Sequence, residues 1–142
     1  MPPPPERPLR ISSFRVLIAD REVGFASVGH LTSETDSEAS PGRPANLHAP
    51  VVLRRAISTD RVLFDWRRRV VDGKDDRRDV TILQLSAPGG DVVNTWKLMG
   101  ARPRRWSGPA FDALHDDIAM EEIELTYDDL VCLDERKPPR GV

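Results

Sequence analysis

From Phe14 onward, apolar and polar positions alternate. Phe14, Val16 and Ile18 fall on one side and Arg15, Leu17 and Ala19 on the other, the period-two pattern of a half-buried strand. Gly24 to Val28 reads as a second short strand, and an apolar run restarts at Val51 to Leu53. Ser58, Thr59 or Asp60 then stands where a helix N-cap belongs. Leu63, Trp66 and Val70 follow at helical spacing, and Gly73 supplies the stop. Val80 to Leu85 and Val92 to Met99 are two further strands, joined by a hairpin turn at Pro88-Gly89-Gly90-Asp91. The last strand is placed over Ile118 to Tyr127. Its apolar positions, 118 and 120 and then 123, 125 and 127, change phase at Glu121-Glu122, which predicts a bulge or a change of buried face.

Between these elements the polar stretches set the boundaries. Pro2 to Pro5 and Pro8 favour extended backbone without donors, so residues 1–10 read as a flexible tail. Thr32 to Ala49 is dominated by Ser, Glu, Asp, Pro and Gly and reads as a long exposed loop. A single domain is expected over residues 11–135, with a second tail at 136–142; 142 residues are too few for two ordinary domains. Strands, one helix and more strands, without βαβ alternation, predict a mainly β protein: an antiparallel sandwich or barrel with one flanking helix.

Composition changes this picture in two places. Arginine outnumbers lysine eighteen to three, yet the formal net charge is −2, so no overall field favours nucleic acid. The charge is unevenly spread. Leu53 to Arg78 is net positive, whereas Ala110 to Glu135 carries ten carboxylates and no lysine or arginine. Copies set side by side could oppose the two stretches. Cys132 is the only cysteine; it is read as a small buried hydrophobe, and no intrachain disulfide can form.

The chain offers little catalytic chemistry. His30, His48 and His115 share no ligand motif, and no GxSxG elbow or phosphate-binding glycine loop occurs. Asp116, Asp117, Glu121, Glu122 and Glu124 read as a solvated strand face. Arg67-Arg68-Arg69 and Arg102-Pro103-Arg104-Arg105-Trp106 are the candidates for phosphate contact and base stacking. Consecutive helical arginines nevertheless diverge around the helix. Gly108-Pro109, free φ beside fixed φ, predicts a tight turn after Trp106. No catalytic residue, cofactor or metal ligand is therefore assigned, and the chain is not read as an enzyme.

The ordered series of fragments carries more. It runs Phe14-Arg-Val-Leu-Ile18, Gly24-Phe25-Ala-Ser-Val28, Val52-Leu-Arg-Arg55, Leu63-Phe-Asp-Trp66 through Val70-Val71-Asp72-Gly73, Trp96-Lys-Leu98, Ala101-Arg-Pro103, Trp106-Ser-Gly108-Pro109 and Ile118 to Leu125. In this order and spacing the sequence resembles the tail-tube family of contractile phages and extracellular contractile injection systems. The resemblance implies a sandwich-like β-barrel with one helix, six copies in a ring around a channel, and rings stacked as a tube. It implies structural or assembly roles for Phe25, Trp66, Gly73, Trp96, Pro103, Trp106, Gly108, Pro109 and Glu121. Expected partners are further copies of the chain, sheath and baseplate proteins, and cargo in the channel, with neither membrane nor specific nucleic acid. The protein is expected to be made in the cytoplasm and built into a particle. Val28-Gly29-His30-Leu31 and Arg55-Ala56 depart from the family pattern. A tube initiator or baseplate adaptor is thus the alternative within the family, and a small nucleic-acid-binding module the alternative outside it.

Overall fold

The computed structural model describes residues 8–36 and 45–133. In chain order the elements are β1 (Phe14–Ile18), β2 (Arg21–Glu22), β3 (Ser27–Val28), β4 (Glu34–Asp36), β5 (Ala45–Leu47), β6 (Val51–Ala56), α1 (Val62–Val71), β7 (Arg78–Leu85), β8 (Val92–Ser107), β9 (Met120–Thr126) and β10 (Asp129–Leu133). All strand pairings are antiparallel. The main sheet runs β2-β1-β7-β8-β9-β6-β3, with β10 also paired to β8, and it does not close into a barrel; β4 and β5 form a separate pair.

Strand β8 organises the sheet. Its first half, residues 92–99, lies between β7 and β10, and its second half, residues 102–107, pairs with β9 alone. Because Arg102 faces Thr126 and Met99 faces Asp129, β9 and β10 continue one register along β8. The result is a long two-stranded ribbon bent at Gly100 and Asp128. Gly100 has φ +65, a conformation glycine adopts without the usual steric penalty, and a Cβ there would collide with the Asp128 carboxylate. That carboxylate accepts hydrogen bonds from Arg77 at 3.3 Å and Arg102 at 3.1 Å, while the Asp128 N–H donates to the Met99 carbonyl at 2.8 Å.

The bend makes two layers of one sheet, and their inner faces share a core. Val16, Ile18, Val80, Ile82 and Leu98 come from one layer, Val51, Leu53, Ile123 and Leu125 from the other, and Leu63 and Trp66 from α1. The predicted helical stripe is in place, with Leu63 and Trp66 buried and Val70 packed against the core. The cap differs. Arg61 occupies the cap position without a side-chain bond, and Asp60 Oδ1 instead accepts from the Val62 N–H at 3.1 Å. At the other end Gly73, φ +86, donates to the Val70 carbonyl and Lys74 to that of Arg69, the paired bonds of a Schellman motif.

Other boundaries moved for local reasons. The Pro88-Gly89 turn closes β7 onto β8, Gly90 donating to Ala87 at 2.8 Å with Gly89 at φ +70, the type II geometry that a Pro-Gly pair favours. The strand predicted to stop at Met99 continues to Ser107. Pro103 fits there because this half of β8 has a strand on one side only, the setting in which sheets tolerate proline. Of the stretch from Gly24 to Val28, only Ser27–Val28 is strand, while Phe25 packs against the core from irregular backbone. The loop expected over Thr32 to Ala49 contains the β4–β5 pair, and residues 37–44 lie outside the described residues. So do residues 1–7 and 134–142, which hold most of the first predicted tail and all of the second. Cys132, read as buried, is exposed on β10.

Trp66 is fully buried, its Nε1 donates to the Asp76 carbonyl at 2.7 Å, and the Arg78 guanidinium stacks 5.0 Å from the ring centroid. Replacing it with alanine removes a large buried aromatic, so Trp66→Ala is expected to lower the unfolding free energy by about 3–5 kcal/mol in denaturant titrations.

Candidate functional site

The second layer ends in a buried polar junction. On β6, Val51, Leu53 and Arg55 point inward, and on β9 so do Glu121, Ile123, Leu125 and, just beyond it, Tyr127. Arg55 and Glu121 are register partners, so alternation places an arginine against a carboxylate inside the fold. They are 7% and 2% exposed. Arg55 Nε donates to Glu121 Oε2 at 3.1 Å, and Trp106 Nε1 donates to Glu121 Oε1 at 3.0 Å. The remaining Arg55 nitrogens reach the Asp60 carbonyl at 2.9 Å and Asp60 Oδ2 at 3.4 Å. Both Glu121 oxygens are engaged, so the junction binds strands β6, β8 and β9 to the approach of the helix.

This junction corrects the reading of the last strand. The pairing of β9 with β6 runs without a shift from Met120 to Leu125, and the inward phase never changes. Glu121 is itself an inward residue, which an apolar pattern cannot reveal. Ile118 lies outside the strand and is exposed. The irregularity sits opposite, on β8 between Pro103 and Arg105. Two residues there face Glu124, as in a β-bulge, so Pro103 and Trp106 both turn inward while Arg104 and Arg105 are exposed.

The other singled-out residues are dispersed. Trp96 Nε1 donates to Gln84 Oε1 at 3.1 Å, and its ring packs on the core with Phe25 in the same cluster. Trp66 and Gly73 belong to α1 and its stop. The Pro103 carbonyl accepts from Arg67 at 3.0 Å, which ties the helix to the outer side of β8. Gly108 does not have positive φ, and no tight turn forms at Gly108-Pro109; the turn falls at Ala113-Leu114. What Gly108 supplies is space, since a Cβ would lie 2.7 Å from the Trp106 ring. Trp106 also meets Phe64 edge-on with centroids 5.0 Å apart.

The charge asymmetry of the sequence is largely neutralised within the chain. Arg54 pairs with Glu122 at 2.7 Å, Arg104 with Glu124 at 2.9 Å, and Arg77 and Arg102 with Asp128. The β6–β9 pairing sets Arg54 beside Glu122, the β8–β9 pairing brings Arg104 to Glu124, and the bend gathers Arg77 and Arg102 at Asp128. The helical arginines are also engaged: Arg67 with Pro103, Arg68 with Asp72 at 3.2 Å and Arg69 with Asp76 at 2.8 Å. These residues are thus paired inside one copy, with Arg54 and Arg77 still about half exposed.

A third feature anchors the β4–β5 pair. The Tyr127 hydroxyl lies 3.0 Å from the Ala49 carbonyl and 3.4 Å from that of Thr32, so one side chain reaches both ends of the excursion. His48 stacks on the Tyr127 ring with centroids 5.3 Å apart, and its Nε2 is 3.8 Å from Asp129 Oδ1. Burial pushes the Tyr127 hydroxyl pKa upward. Among the described residues no group of three His, Cys, Asp or Glu side chains is placed to hold a metal, and no helix is long and apolar enough to cross a membrane.

An open antiparallel sandwich with one flanking helix is the architecture of a tail-tube building block. The profile described as T4-like virus tail tube protein gp19 matches residues 11–131. The chain belongs to that family. A chain of the extended sheath–tube complex of an extracellular contractile injection system, PVC, shares 25% identity at a TM-score of 0.73, with 91% of this chain and 93% of that one covered. The tube-terminating cap of the anti-feeding prophage matches at 18% identity and TM-score 0.72, covering 94% and 96%. Hcp1 from Flavobacterium johnsoniae matches at 15% and 0.60, covering 87% and 99%. No curated protein sequence matches. The protein is a structural tube subunit, a component of a phage tail or injection particle.

Asp60 was anticipated as a helix cap, whereas Arg55, Gly100 and Tyr127 were not singled out for a role, although Arg55 had a signal: it continues the inward series of Val51 and Leu53. Removing one partner of a buried pair strands the other, so Glu121→Ala is expected to cost about 3–5 kcal/mol, whereas Arg55→Met with Glu121→Leu should come close to the parent stability. Equilibrium unfolding of the three chains measures the difference.

Three carboxylates set the acid response, and the hydrogen bond from Arg15 holds Glu22 below its ordinary pKa. The Val62 N–H, followed by Arg55 and Arg21, holds the Asp60 pKa below its ordinary value, and the Arg78 guanidinium, with Arg69, does the same for Asp76. Groups with depressed folded pKa stabilise above their unfolded pKa and lose that contribution as pH falls through the folded one. Stability should therefore hold from neutrality down to the ordinary carboxylate range and fall below about pH 4. In Asp76→Asn the acid limb of a melting-temperature profile should be shallower.

Proposed function

We propose that the chain is the repeating subunit of the inner tube of an extracellular contractile injection system. It forms rings of six that stack around a central channel, inside a sheath and on a baseplate, with cargo carried in the channel and no catalytic role. The observation that carries this reading is the match to a chain of the sheath–tube complex at 25% identity across nine-tenths of both chains. Family membership over residues 11–131 supports it. So does the internal engagement of buried polar groups, which leaves the junction of Arg55, Glu121 and Trp106 with a structural role.

Phe25, Trp66, Gly73, Trp96, Pro103, Trp106, Gly108, Pro109 and Glu121 act in this reading as scaffold that holds the assembly surfaces. The β4–β5 pair, tied at its base by Tyr127, serves as the contact between stacked rings, where new contacts offset its ordering. Electron microscopy of the purified chain tests the proposal. Six-fold rings and tubes are expected, and a monodisperse monomer at high concentration would contradict it. Deleting residues 36–45 should leave rings but stop tubes from lengthening; long tubes from that variant would place stacking elsewhere.

A further inference from the structure

The β8–β9 connection, residues 108–119, exposes apolar surface that the fold does not cover. Phe111 and Leu114 are 91% exposed and Ile118 78%. Among the described residues only one other large apolar side chain is comparably bare, Ile11. Bare large apolar side chains grouped on one connection mark a candidate interaction site.

The arm is held in shape at its tip and at both roots. Asp112 Oδ1 accepts from the Leu114 N–H at 2.9 Å, the His115 N–H donates to the Asp112 carbonyl at 3.2 Å, and His115 Nδ1 lies 2.7 Å from Asp112 Oδ2. At one root Ile57 donates to the Ala119 carbonyl at 2.9 Å, and at the other Gly108 lies under the Trp106 ring. A display fixed beforehand loses little freedom on docking.

Ile11 stands at the lip of an apolar groove of about 400 Å³, walled further by Phe14, Val28, Leu31, Ile82 and Trp96. This groove is lined by β1, β7 and β8 of the first layer and by Ala26 to Gly29, around β3 of the second. The arm leaves the second layer beyond Ser107 and Met120 and lines a separate cavity with Arg54, Arg105 and Glu122, so arm and groove share no lining residue. Charge matches as well: the arm carries Asp112, Asp116 and Asp117 and no lysine or arginine, whereas the only charged residue lining the groove is Arg10. Donor and acceptor on different surfaces of one chain make a head-to-tail contact, which repeats from copy to copy and closes as a ring or continues as a filament.

We propose that in the assembled tube the 108–119 arm of one copy seats Phe111 and Leu114 in the groove of a neighbouring copy, against Ile11, Phe14, Val28, Leu31 and Trp96. The inference rests on the reading that the chain self-assembles, and the experiment separates the two. In a Cys132→Ser background, one preparation carries Phe111→Cys and another Ile11→Cys. They are mixed, assembled and treated with a short bismaleimide linker. A covalent dimer on a denaturing gel is expected from the mixture and from neither preparation alone. Tubes in the microscope without that dimer would overturn the arm-to-groove contact. Failure of the parent chain to form any ring or tube would instead remove self-assembly itself, and this contact with it. As a second measurement, Phe111→Asp with Leu114→Asp should keep the parent melting temperature, both side chains being exposed, and reduce tube yield at least tenfold. A parental tube yield would reject the proposal.

Discussion

A single strand pairing holds the two layers of this protein together. β8 runs in register with β9 and then with β10, and the ribbon they form belongs to one layer before the bend and to the other after it. Each flanking strand then has its place: β7 and β1 extend the ribbon on one side of the bend, and β6 and β3 on the other. Where β8 has no strand neighbour, α1 lies against it and Arg67 bonds to the Pro103 carbonyl. The core forms because the bend turns the apolar faces of both halves toward each other and toward Trp66.

The buried Arg55–Glu121 pair gives this arrangement its uniqueness more than its stability. Desolvating two charges costs nearly what their attraction returns, but the pair constrains register. Sliding β9 by one residue would turn its whole inward set outward, and the slide that sets Met120 opposite Arg55 would leave the guanidinium buried without a carboxylate. Trp106 adds a third strand to the constraint, since its indole reaches the second oxygen of Glu121. One carboxylate thus reads the alignment of β6, β8 and β9 together. The surface pairs Arg54–Glu122 and Arg104–Glu124 follow from that alignment, and exposed pairs of this kind contribute little by themselves.

Much of the fold was legible where side-chain periodicity and turn chemistry acted alone. β1, the α1 stripe, the Gly73 stop and the Pro88-Gly89 hairpin all rest on local signals. The ordered fragments were enough to identify the family. Legibility ended where a polar residue occupied an inward position. Glu121 looked like a break in the pattern of β9 because its partner, Arg55, lies 66 residues earlier in the chain. Pro103 hid the second half of β8, as its tolerance depends on which side of a strand is unpaired. β4 and β5 have three residues each, too few for a period to show, so nothing in their composition distinguishes a strand pair from a loop. Gly108 was singled out for backbone freedom, whereas its role is to leave room for a ring two residues away.

The bend at Gly100 sets more than the inside of one molecule. Subunits that close on themselves must each rotate the next by an equal fraction of a full revolution, and any deviation in that rotation accumulates around the circumference. When the mating surfaces are carried by two layers, the rotation is inherited from the angle between those layers. Here that angle is governed at a single peptide, braced by one aspartate and two arginines. In a tube built through the proposed arm-to-groove contact, the curvature of the particle, and with it the width of its bore, would be held at a point far smaller than the object it shapes.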